Sequence, residues 1–165
     1  MKSFLSDDDF FKDMMDCVLN AGLPVFKDPC VCDGNSNKFK SIFKIDHVDV
    51  HVDGSYDTSN RFARTRFTFD DPIDSKNMDT ARQIINSLNA TRPFYHYSLC
   101  PCCNSIEVRF GINASAAATF KRKFEVVFCS LLTEIKEIYP LMIKTIKGCG
   151  DFNSLTEEMK NKHAG

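Results

Sequence analysis

The chain has 165 residues, 43% of them apolar and 26% charged, with a formal net charge of −1. That length suits one domain with a sizeable core, and the composition excludes a disordered chain. A net charge so near zero removes any overall pull toward nucleic acid or anionic membrane, and no apolar run approaches the ~20 residues of a membrane helix.

Ser3 to Ala21 reads as a first helix. Ser3 or Ser6 is placed to cap it, Asp7, Asp8 and Asp9 suit the positive end of its dipole, and Phe10, Phe11, Met14 and Val18 form its apolar face. Gly22 and Pro24 stop it. Met1 to Leu5 followed by three aspartates lacks the apolar stretch of a secretory signal, so a cytoplasmic location is expected. Val25 to Lys38, dense in turn formers, reads as a loop.

Three strands are expected next. Phe39, Ser41, Phe43 and Ile45 alternate with Lys40, Ile42 and Lys44; Val48, Val50 and Val52 alternate with Asp49, His51 and Asp53; Ala63, Thr65, Phe67 and Phe69 alternate with Phe62, Arg64, Arg66 and Thr68. Asp71-Pro72 breaks the pattern, and a helix capped by Asp74 or Ser75 runs to about Asn89 on Met78, Ala81, Ile85 and Leu88. A second hairpin follows, Phe94 to Cys100 and Ser105 to Ile112, about the turn Pro101-Cys102-Cys103-Asn104.

The longest apolar stripe comes last. Phe120, Phe124, Val127, Phe128, Leu131, Ile135 and Ile138 recur at steps of three and four between Ala116 and Tyr139. About 24 residues make a rod of roughly 36 Å, and a stripe of that length needs a sheet to cover it. Pro140 is expected to kink or end the helix, with Leu141 to Ile146 a short apolar turn. Residues 147–165 read as a polar tail, in which Ser154 and Glu157 have capping-box spacing for a short helix.

The expected fold class is therefore α+β, in the order α-β-β-β-α-β-β-α. One domain, residues 1–146, carries an antiparallel-rich five-stranded sheet packed by the N- and C-terminal helices. That order, the meander running into Asp71-Pro72, and the stretch from Ala81 through Asn89 to Tyr139-Pro140-Leu141 resemble the type III secretion chaperone-like fold and the bacterial putative sensory-transduction-regulator family. The resemblance covers roughly Leu5 to Ile146. It implies a protein-binding role, with homodimerisation through the middle helix and hairpin region and an extended partner segment held in helical and sheet grooves.

Eight cysteines stand at 17, 30, 32, 100, 102, 103, 129 and 149. Without an export signal, reduced thiols are expected rather than a disulfide framework. Cys30, Cys32, Cys100, Cys102 and Cys103 are candidate thiolate ligands, enough for a tetrahedral zinc, although their spacing is not that of a common knuckle. Strand directions place the Cys100–Cys103 tip and the start of the first strand at opposite ends of the sheet, so plain thiols, a labile disulfide at the tip and a metal site all stay open. His47, Asp49, His51 and Asp53 share a strand face, where pairing with Arg64 and Arg66 is the simpler reading.

No nucleophile is paired with a base, and no phosphate loop or metalloprotease motif occurs, so an enzyme is not expected. The expected function is a non-enzymatic protein-binding module, a homodimer without cofactor. Its partner is a protein rather than nucleic acid or membrane, and Ile42, Phe62, Tyr95, Tyr97 and Leu99, opposite the presumed core positions, form the binding row. The alternative is a metal-binding or redox-responsive regulator built on the cysteines.

Overall fold

A computed structural model of the chain describes residues 6–28, 36–114 and 117–161. Ser6 starts helix α1, Asp7–Asn20: its main-chain N–H and its hydroxyl both donate to the Asp9 carboxylate, at 2.8 and 2.9 Å. Gly22, at φ +82°, takes the left-handed conformation that ends this helix, and the Leu23 N–H closes back on the Val18 carbonyl.

The meander follows as β1 Phe26–Lys27, β2 Ser36–Ile45, β3 Val48–Asp57 and β4 Phe62–Phe69. A 3₁₀ turn, Ser75–Asn77, leads into α2, Met78–Asn89; then come β5 His96–Leu99, β6 Ile106–Asn113, α3 Ala117–Ile146 and α4 Phe152–Asn161. Every strand pairing is antiparallel, in the order β1-β2-β3-β4-β6-β5. The fold is the expected α+β type with one more strand: two residues of the segment expected as a loop, Phe26 and Lys27, pair with Lys40 and Phe39.

The inner face of the sheet carries Phe39, Val50, Val52, Tyr56, Phe67, Phe69, Val108 and Phe110, all buried. The Phe-rich rod lies against it: Phe128 packs on Phe67 at 5.6 Å between ring centroids, Phe124 on Phe110 at 5.5 Å, and Phe120 edge-on to Phe10 of α1 at 5.1 Å. Each fully buried side chain of this stripe contributes roughly 1.5–3 kcal/mol.

Pro140 neither ends nor divides α3. The helix continues to Ile146 because Met142 and Ile146 beyond it and Tyr139 just before it are buried, Tyr139 stacking on Phe69 at 4.0 Å and donating to Asp71 at 3.3 Å. Packing there outweighs the hydrogen bond that proline removes. The segment expected as a polar tail also packs on the core, since α4 buries Leu155 and rests Phe152 against the cluster. No helix among the described residues is long and apolar enough to cross a membrane.

Candidate functional site

Alternation puts the even-numbered residues of β2 and β4 and the odd-numbered residues of β3 and β6 on the sheet face away from the helices. Antiparallel register aligns them in rows that cross the strands. One row is Lys40, Asp53, Arg66, Arg109 and His96; the next towards the chain start of β2 is Lys38, Ser55, Arg64 and Gly111. These rows floor an open groove of about 720 Å³, bounded on one side by the β1 margin at Asp28 and on the other by the 93–95 linker.

The groove is rich in cations. Lys40 pairs with Asp28 at 3.4 Å and Arg66 with Asp53 at 3.1 Å, while Arg109 reaches Glu107 at 3.6 Å. Lys38 makes no ion pair among the described residues, and Arg64 lies over the Phe62 ring, 5.3 Å from its centroid. Phe62 in turn sits flat on Gly111, where a side-chain carbon would come within 2.4 Å of the ring. At the far rim Phe94 is 70% exposed. The face thus combines an excess of positive charge with two partly or fully exposed aromatic rings.

Beneath the same linker lies a polar knot. Glu134 of α3 accepts from Arg92 Nε at 2.8 Å, from the Tyr97 hydroxyl at 2.9 Å and from the Tyr95 hydroxyl at 2.6 Å. Arg92 is buried, and burial followed by the Glu134 charge drives the Tyr97 phenol well above its ordinary pKa. Burial likewise raises Tyr95. Both phenols stay protonated donors at neutral pH, so the knot ties β5 and the linker to α3 rather than moving protons.

The structure divides the expected binding row. Ile42, at 38% exposure, and half-buried Phe62 lie on the open face, as their parity predicts. Tyr97 corrects the expectation of exposure: it is buried, because its partner in register is Val108, whose side chain is in the core. Tyr95 and Leu99 share that inner side and pack against the core, leaving Phe94, His96 and Ser98 for the outside. Glu134 could have been found from its spacing, since it sits three and four residues from Leu131 and Ile138 along the apolar stripe.

Cys30 and Cys32 lie outside the described residues. Ser36 pairs at the end of the sheet where Asp57, Phe62 and Asn113 meet, whereas the Cys100–Cys103 turn follows the opposite end, at Leu99 and Ile106. Among the described residues no group of three or more His, Cys, Asp or Glu side chains is arranged to hold a metal ion. Asp49 and Asp53 are engaged by Lys44 and Arg66, and Arg64 faces Ser55 instead of an acid.

Compared with protein-family models, curated proteins and solved structures, the chain has no match.

Proposed function

We propose that this chain is a non-enzymatic, cytoplasmic protein-binding module similar to bacterial type III secretion chaperones. It holds an extended acidic segment of a partner protein on the sheet face away from the described helices. The observation that carries this reading is the groove floor, where Lys38, Lys40, Arg64, Arg66 and Arg109 face solvent against Asp28 and Asp53. Cations on a concave, water-bounded surface attract acidic groups and speed their encounter.

A protein segment suits this face better than a nucleic acid backbone. Asp28, Asp49 and Asp53 are interleaved with the cations, and a continuous line of phosphates would have to pass them, whereas a peptide can place apolar groups there and over Ile42. Pairing of two copies belongs to the same reading, by the side of α2 and the exposed Phe94. The β5 edge itself is occupied by the Asn89 side chain.

Fluorescence anisotropy tests the reading with a labelled peptide alternating Glu and Val, the same peptide with Gln for Glu, and a single-stranded oligonucleotide. The acidic peptide is expected to bind in a salt-sensitive manner, and the pair Arg64→Glu and Arg109→Glu to weaken it on the order of tenfold. No binding of the acidic peptide, or tighter binding of the oligonucleotide, overturns the proposal.

A further inference from the structure

The hairpin tip gathers three thiols in one turn, Cys100-Pro101-Cys102-Cys103. The turn is closed at its base by the Cys100 N–H on the Ser105 carbonyl at 2.8 Å and the Asn104 N–H on the Cys100 carbonyl at 2.9 Å. Asn104, at φ +56°, reverses the chain into β6, and its carbonyl accepts from the Ile73 N–H at 3.1 Å, which anchors the tip to the loop after β4. The thiols are accessible: Cys100 is half-buried, and Cys102 and Cys103 are exposed.

Within the turn the sulfurs are not equivalent. The Cys102 main chain first, then the side chain and main chain of Cys103, hold the Cys100 thiol below its ordinary pKa, against burial and the charge of Glu107. Cys103 is the thiol that stands across this closed turn from Cys100, three residues on. A tight turn brings its first and fourth residues to within ~7 Å between Cα atoms, inside the span that a disulfide bridges. Neighbouring thiols such as Cys102 and Cys103 have no such turn between them. The core thiols contrast with this tip: burial pushes Cys17 up to about 11 and also raises Cys129, leaving both inert.

We infer that this tip is a thiol–disulfide exchange site, with Cys100 the attacking sulfur and Cys103 the resolving one. The co-reactant is a disulfide, RSSR. The Cys100 thiolate attacks one sulfur of RSSR, forming a Cys100–S–S–R mixed disulfide and releasing RS⁻, which takes a proton from solvent. Cys103 then gives up its proton, and its sulfur attacks the Cys100 sulfur, expelling the second RS⁻, which is protonated in turn. Two protein thiols are oxidised to one disulfide, and RSSR is reduced to two RSH. The inference is independent of what the sheet face binds.

The test uses the full chain, reduced and then exposed in separate arms to oxidised glutathione and to oxidised thioredoxin, followed by mass mapping of the bonds. A Cys100–Cys103 disulfide in either arm supports the site, and the arm that reacts faster identifies a small-molecule or a protein source. Cys103→Ser should accumulate the mixed disulfide at Cys100, and Cys102→Ser should react like the parent. In the reduced chain, iodoacetamide should modify Cys100 on the order of tenfold faster than exposed Cys149. Reaction in neither arm, a bridge from Cys100 to any other cysteine, or equal labelling of Cys100 and Cys149 overturns the inference. Circular dichroism of the variants, altered only at an accessible turn, separates loss of exchange from loss of fold.

Discussion

Asn89 closes the outer edge of β5 with its own side chain, its amide oxygen accepting from the Tyr97 N–H at 2.8 Å and its amide nitrogen donating to the Tyr97 carbonyl at 2.9 Å. A side chain thus mimics the next strand of a ladder. Edge strands left open invite pairing with other chains, and this one is blunted by the last residue of the helix beside it.

Replacing Asn89 with Leu should leave two main-chain groups of Tyr97 without their partner. The expected cost is about 1–3 kcal/mol in urea denaturation. Sedimentation velocity should also show concentration-dependent association through the opened edge. An unchanged midpoint and sedimentation coefficient would contradict the role given to Asn89.

The Glu134 knot predicts unequal costs for two substitutions. Glu134→Leu leaves Arg92 charged and buried without its carboxylate, at about 3–5 kcal/mol. Glu134→Gln keeps a hydrogen-bond acceptor for the same donors and should cost less, about 1–3 kcal/mol. Chemical denaturation of the two variants checks the order, and the reverse ranking refutes it.

All four tyrosines are shifted in the same direction, which fixes the alkaline behaviour of the fold. Tyr56 is buried against Phe10 and donates to Asp7 at 3.3 Å, and burial first, then the Asp7 charge, raise its phenol from 10 to about 12. An unfolded chain releases that proton near its ordinary value, while the folded chain retains it. This contribution to stability is complete below pH 10 and is lost as pH rises to about 12. The urea midpoint should therefore fall across that window, and Tyr56→Phe should make the fall shallower.

Leu155 tests whether the C-terminal helix belongs to the domain. It is buried at 3% exposure, so Leu155→Ala should cost about 2–5 kcal/mol in a single cooperative transition. Unfolding of α4 in a separate, earlier transition, followed by circular dichroism, would show that it is dispensable.

Much of this architecture is legible in the residues. Period-two alternation in 39–69 and 106–112 and the Phe120-to-Ile138 stripe specify both the sheet and the rod that covers it, because burial enforces those periods. What escapes is decided by tertiary context. Tyr97 looks no different from an exposed strand tyrosine until pairing with Val108 assigns its side. Pro140 carries a strong local veto on helix, which the stacking of Tyr139 on Phe69 overrides. Phe26 and Lys27 form a strand only because β2 offers them an edge. The groove is written one residue at a time on separate strands, so its cations become neighbours only once the register is known.

Because the described helices lie on one side of the sheet, the residues that hold the fold together and those that meet the outside alternate along the same strands. Positions such as 38, 40, 64, 66 and 109 can be rewritten without disturbing the phenylalanines between them. Such a scaffold can change its molecular acquaintances quickly over evolutionary time, or in a library randomised at those sites, while its interior stays as it is.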